Sequence, residues 1–319
     1  MREDTASNGC RRNRCRPSTL TDVTDRFIHI DHDHLASFDG RFRIRKSPTS
    51  PPKKSRHDDR NRLGLETAIL EMRKLQARLL ANDRRSVLVV FQALDAAGKD
   101  GTIKAVMSGI NPAGCEVHSF KAPSSLELDH DFLWRVYTRL PERGRIGIFN
   151  RSHYEELLVV RVHPELLDKQ RLPELPKRKR VWHERYESIR DVERHLARNG
   201  TTIVKFFLHV SKGEQKRRFL DRIADPEANW KFDPNDMRER DRFDDYQAAY
   251  EDVLRETSRP WAPWYAIPAD DKLYMRRTVA EILVATLEKM DLHYPAPTKE
   301  QRAAMAATKR ALEGEGERE

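Results

Sequence analysis

Lys99 follows Gly98 in a stretch of small and charged residues, Gln92-Ala-Leu-Asp-Ala-Ala-Gly-Lys-Asp-Gly. A lysine beside a glycine at the head of a helix suits phosphate: backbone N–H groups and the helix N-terminus meet the anion, and the ammonium adds a mobile charge. The spacing departs from the G-x-x-x-x-G-K-[ST] pattern, because Ala93 stands at the first glycine and Asp100 at the Ser/Thr. Alone, such a match is weak, and a strand-to-helix turn with a surface lysine is the competing description. Asp95 and Asp100 favour chemistry. Two carboxylates beside an anion site repel phosphate unless a cation sits between them, so the pattern predicts Mg²⁺ on oxygen ligands. A second cluster, Asn150-Arg-Ser-His-Tyr-Glu, follows a short apolar run.

The elements that must position these groups follow from periodicity. Val87 to Phe91 is an unbroken apolar run that suits a central parallel strand, and Thr102 onward continues as a helix with Ile103, Val106 and Met107 on one face. Leu65, Ile69, Met72, Leu75 and Leu79 mark an amphipathic helix over 63–82. Further strands are expected at Cys115–Phe120, Ile146–Phe149, Thr201–Leu208 and within Ala262–Lys272, whose polar end is Asp270-Asp-Lys, and helices from Glu127, over Trp182–Arg198, through Lys212 to Arg222, after Asp236 and over Met275–Met290. Alternating strands and helices imply an α/β doubly wound domain. In such sheets ligands bind at the carboxyl ends of strands, where Asn150 and Arg151 fall beside the phosphate loop. Lys212, Lys216, Arg217, Arg218 and Arg222 share one helix before the irregular Asp225-Pro-Glu-Ala-Asn-Trp-Lys-Phe segment, an arrangement expected of a lid over about 212–242.

The net charge of +9 is concentrated in residues 1–62, which hold 15 Lys/Arg against 9 Asp/Glu. These residues read as a basic, largely disordered arm, 63–294 as the folded domain and 295–319 as a flexible tail. Asp31-His-Asp-His reads as a polar loop or cap rather than a metal cluster, since adjacent side chains in an extended segment alternate faces. Cys10, Cys15 and Cys115 form no even framework, which points to a reducing compartment. No apolar run is long enough to cross a bilayer and the first residues form no signal sequence, so a cytoplasmic protein is expected.

Together these residues resemble the polyphosphate kinase 2 family, polyphosphate:nucleotide phosphotransferases, from about Leu63 to Tyr294. Four stretches carry the likeness: Phe91-Gln-Ala-Leu-Asp-Ala-Ala-Gly-Lys-Asp-Gly, Phe149-Asn-Arg-Ser-His-Tyr-Glu, Asp225-Pro-Glu-Ala-Asn-Trp-Lys-Phe and Ala262-Pro-Trp-Tyr-Ala-Ile-Pro-Ala-Asp-Asp-Lys. Phe243 stands where many members have Trp, and residues 1–62 are longer and more basic than expected. The resemblance implies a P-loop kinase-like three-layer fold with a mostly parallel sheet and a helical lid, Mg²⁺ dependence, and inorganic polyphosphate as donor. It implies Asp95 at the metal or acceptor phosphate, Lys99 on the phosphates with Ala97, Gly98, Asp100 and Gly101 around them, and Asn150 and Arg151 at the nucleotide. Lys216, Arg218, Arg222 and Lys231 would be cations on polyphosphate, with Lys177 to Arg180 extending the track. Glu155 joins the catalytic set as a second metal carboxylate and points to AMP as acceptor, with ADP second and purines preferred. A homodimer or homotetramer is implied. An ATP-dependent nucleoside monophosphate kinase, and a nucleic-acid-binding protein with a vestigial loop, are the competing readings; nucleic acid is not an expected partner.

Overall fold

The chain is described from a computed structural model that covers residues 26–172, 178–227 and 229–315. Its elements are α1 (Asp58–Asn82), β1 (Ser86–Ala93), α2 (Lys99–Val106), β2 (Cys115–Ser119), β3 (Ile146–Asn150), α3 (Arg178–Arg198), β4 (Thr201–His209), α4 (Lys212–Ala224), α5 (Asn235–Asp241), α6 (Phe243–Thr257), β5 (Trp264–Pro268), α7 (Lys272–Lys289) and α8 (Lys299–Glu315), with short helical turns between. Every residue of β1 is buried, as a strand covered on both faces requires. The sheet is wholly parallel in the order β2-β3-β1-β4-β5. α1, α2 and α7 pack together as one helical group and α3 and α6 as another. The register pairs Phe91 with Asn150, so the carboxyl ends of β1 and β3 finish side by side.

Leu65, Ala68, Met72, Leu75 and Leu79 form the buried stripe of α1, four or three residues apart as a helix face demands. The helix expected from Glu127 is interrupted. Ser124 and Glu127 form a capping box that starts Ser125–Leu128, but Asp131 Oδ1 then accepts the Leu133 N–H and restarts the chain as Trp134–Tyr137. Among the described residues no helix is long and apolar enough to span a membrane.

The expected boundary at residue 62 does not match the packing. Residues 34–36 lie antiparallel along β5: the Ala36 N–H donates to Trp264 O at 2.9 Å, and the Ala266 N–H to His34 O at 2.8 Å. Ile44 is buried, its N–H donating to Glu251 Oε2, while the Asp270 N–H donates to Thr49 O. The apolar pieces Ile28, Ile30, Leu35, Phe42 and Ile44 thus cover a sheet edge that would otherwise expose its hydrogen-bonding groups. His32 and His34 touch each other, and His34 reaches Tyr274 OH. Cys10, Cys15, Val23, Lys177 and Ala228 lie outside the described residues, and only the backbone of Lys231 is described.

One charged pair lies within the core. Lys205, midway along β4 and fully buried, donates to Glu193 on α3 at 2.7 Å, to Tyr154 OH at 2.7 Å and to Thr257 O at 3.0 Å. Burial pushes its ammonium down to about 8, and Glu193 opposes the fall. Removing one partner strands the other charge in the interior. Lys205→Met is therefore expected to lower the unfolding free energy by about 3–5 kcal/mol, and adding Glu193→Leu to recover most of it, as read by urea denaturation of the single and double variants.

Candidate active site

The loop between β1 and α2 is built on backbone shapes that few residues adopt. Gly98 has φ +101° and Ala96, though not glycine, φ +62°. These turns aim the first-turn N–H groups of Lys99, Asp100 and Gly101, which lack acceptors within α2, out of the sheet's carboxyl edge. Lys99 is buried and its Nζ donates to Ala93 O at 2.9 Å. Its pKa falls, first through burial and then through Arg151, with Asp95, Glu155 and Asp100 opposing. A cation so poorly solvated gains strongly from an arriving anion.

The end of β3 supplies the facing groups. Arg151, at φ +62°, donates its N–H to Phe91 O at 3.0 Å, fastening one strand end to the other. Its guanidinium contacts Asp95 Oδ1 at 2.7 Å and Glu155 Oε2 at 3.5 Å. Glu155 and then Asp95 hold it firmly charged against the effect of burial. Glu155 is fixed from its other side by Gln92 Nε2 at 2.9 Å. Asn150 Nδ2 donates to Asp100 Oδ1 at 2.6 Å and is 3.4 Å from Ser119 Oγ. Asp95, Lys99, Arg151 and Glu155 therefore lie together, while Asn150 faces the exposed Asp100 on the outer rim.

The cations expected on a lid are placed differently. Arg218 is buried beneath the loop, donating to Ala97 O at 2.7 Å, Ala269 O at 2.5 Å and Glu214 at 2.7 Å. It braces the loop from behind and has no free face for a substrate chain. Gln215, also buried, donates to Asp95 O at 3.1 Å, so α4 is anchored to the loop. Arg222 pairs with Asp236 at 2.8 Å, Arg217 with Glu214 and Asp221, and Arg180 with Glu184. Lys216 remains exposed on the surface.

Several residues of the site escaped the sequence reading. A cavity beside Asp95, Arg151 and Glu155 is closed by Asp236, Glu239 and Arg240 of α5 and by Tyr246 and Tyr250 of α6. Arg240 donates to Gln215 at 2.6 Å, and Glu239 accepts from Tyr246 OH at 2.6 Å. Burial, then Asp95, raises the Asp236 pKa. The four-residue spacing of Tyr246 and Tyr250, which puts both rings on one helix face, was the available signal.

A parallel five-stranded sheet that delivers a glycine-lysine loop and an Arg/Asp/Glu cluster at adjoining strand ends defines a P-loop kinase-like α/β protein. The chain belongs to the polyphosphate kinase 2 family, whose model matches residues 53–295. It is 53% identical over 249 residues, 78% of this chain and 86% of the relative, to an ADP-polyphosphate phosphotransferase of Rhodopseudomonas palustris. It is 47% identical over 262 residues, 81% of this chain and 93% of the relative, to an AMP/ADP-polyphosphate phosphotransferase of Meiothermus ruber. The crystal structure of polyphosphate kinase 2 from Arthrobacter aurescens is similar with TM-score 0.77 and 31% identity, covering 88% of this chain and all of that one.

The brace at Arg218 generates a distinct kinetic expectation. Arg218→Ala should lower kcat by about 10–100-fold through a displaced loop, while the polyphosphate KM changes less than about twofold. Steady-state kinetics at several salt concentrations check it, because loss of a direct polyanion contact would instead raise KM and weaken its salt dependence.

Proposed function

We propose that the chain transfers phosphoryl groups between inorganic polyphosphate and purine nucleotides, taking AMP to ADP and ADP on to ATP. The observation that carries this reading is the meeting of Lys99 and the loop N–H groups with Arg151 between Asp95 and Glu155. The acceptor phosphate is already largely ionised near neutral pH, so the barrier is repulsion between anions rather than lack of a base. The loop and Lys99 hold the donor phosphates, and Arg151 lies where it can shift from the carboxylates to the phosphoryl oxygens. The α5 and α6 side chains shield that position from water as a lid.

Among the described residues no three His, Cys, Asp or Glu side chains form a metal cage. Mg²⁺ needs none, being commonly held by one or two carboxylates together with substrate phosphates. Asp95, a third exposed, fits that donor set, and Glu155 is the second carboxylate. When bound, the ion neutralises charge between donor and acceptor oxygens. We assign AMP as well as ADP to the acceptor site because the Asn150 to Glu155 stretch resembles monophosphate-accepting members, and the two relatives named above carry ADP and AMP/ADP in their names. A homodimer or homotetramer and a reducing, cytoplasmic setting belong to the same proposal.

The test is a chromatographic time course with AMP, Mg²⁺ and polyphosphate in the absence of ATP. ADP is expected first and ATP after it, and ATP should form from ADP only when polyphosphate is present. ADP appearing from ATP plus AMP but not from polyphosphate plus AMP would identify an ordinary monophosphate kinase. Lys99→Ala should reduce kcat by at least ~100-fold with an unchanged unfolding transition, and retention of half the rate would remove Lys99 from the mechanism.

A further inference from the structure

A buried polar cluster behind the site takes no part in the chemistry described so far. Tyr154, Glu193 and Lys205 are hydrogen-bonded to one another, and His153 lies against them, its Nε2 3.9 Å from Glu193 Oε1. Lys205 Nζ faces four acceptors: both Glu193 oxygens, Tyr154 OH and Thr257 O. These come from α3, from the turn after β3 and from the end of α6. Trp264 of β5 closes the unit, its Nε1 donating to Thr257 Oγ1 at 2.9 Å and its ring meeting Tyr154 edge-on with centres 4.9 Å apart. The ammonium stands 5.1 Å from both ring centres.

Tyr154 connects this unit to the groups that face the phosphates. Arg151 stands three residues before it and Glu155 directly after it. Ser152, His153 and Tyr154 are all buried, and Ser152 tightens the turn by accepting the Tyr154 N–H on Oγ and the Glu155 N–H on its carbonyl, both at 3.1 Å. Arg151 keeps its φ of +62° only if the chain is held on both sides. The Phe91 carbonyl holds one side, and the Tyr154 hydroxyl, which accepts from Lys205 and donates to Glu193, holds the other. Stability alone does not account for a lysine and a glutamate here, because apolar residues of similar volume commonly stabilise a core as well or better. Apolar residues cannot fix a phenol oxygen in one direction, which charge-assisted hydrogen bonds do.

We propose that Lys205, Glu193 and Tyr154 are positioning residues for phosphoryl transfer: through the Tyr154 hydroxyl they set the turn that places the Arg151 guanidinium between Asp95 and Glu155. The assignment rests on the role given to Arg151 above. It makes the core ion pair a determinant of rate, distinct from its effect on stability and from substrate affinity. A displacement of Arg151 by about 1 Å is enough to slow such a reaction about 100-fold.

The test compares wild type, Tyr154→Phe and Lys205→Met/Glu193→Leu by urea denaturation, by steady-state kinetics with polyphosphate and ADP, and by amide hydrogen exchange followed by NMR. Both variants should unfold near the wild-type midpoint, the first because its ring still packs on Trp264 and the second because both charges are removed together. kcat is expected to fall about 10-fold in Tyr154→Phe and about 10–100-fold in the double variant, with both KM values changed less than about twofold. The Arg151 N–H should exchange about 10-fold faster or more, while the Val89 and Val204 amides in mid-sheet keep their wild-type rates. A double variant that regains stability together with full kcat would reduce the pair to core filling and overturn the proposal. Raised KM with unchanged kcat would overturn it by placing the effect on binding, as would Arg151 exchange that is unchanged or matched by equal acceleration in mid-sheet. A wild-type protein that transfers nothing from polyphosphate would overturn the proposed function, and the exchange comparison would still decide the positioning.

Discussion

Arg151 is the interaction on which the site depends. Its guanidinium lies between Asp95 at the end of β1 and Glu155 beyond β3, and its backbone N–H is tied to Phe91. Without the cation the two carboxylates would face each other in a partly buried cavity, and neither strand end would hold its geometry. Without the carboxylates the Arg151 guanidinium and the Lys99 ammonium would repel each other. Lys99 and Arg151 beside Asp95 and Glu155 leave this group of four close to neutral, so the protein tolerates its burial.

Such an arrangement requires a rigid frame, because Ala96 and Arg151 both hold positive φ angles that ordinary residues avoid. The frame is redundant. Arg218 grips the loop carbonyls from beneath, Gln215 holds the Asp95 carbonyl, Gln92 fixes Glu155, and Tyr154 anchors the turn after Arg151 to the buried Lys205–Glu193 pair. A buried ion pair is a weak source of net stability but a strict geometric requirement. Here it lies behind the turn that presents the reactive side chains.

How much of this could be read from sequence depended on how local each signal was. The loop and β1 were legible because a β-branched run ending in Gly98-Lys99 is a short-range pattern, and the sheet class followed from alternation of strands and helices. Arg218 was not legible. In a run of five cations no sequence feature separates a lid residue from one whose acceptors are the carbonyls of Ala97 and Ala269, far away in the chain. Lys205 gave a clue as a lone charge inside Thr201–Leu208, but its partner Glu193 looked like any other acid on an amphipathic helix. Charge composition likewise suggested that residues 1–62 stand apart, because the apolar residues of the described part, from Ile28 to Ile44, find their partners far along the chain, in β5 and α6.

That last pairing bears on how the molecule is made. The contact of Ile30 with Tyr265 spans 235 residues, so the segment that guards the far edge of the sheet is synthesised long before the edge exists. Closure of so large a loop contributes to slow folding, and until it occurs β5 offers an open template to other chains. The vulnerable species during biosynthesis is thus a nearly complete domain whose strap has not yet docked. Aggregation during expression would then be governed by how quickly Leu35 and Ala36 find Trp264 and Ala266, residues with no part in the chemistry.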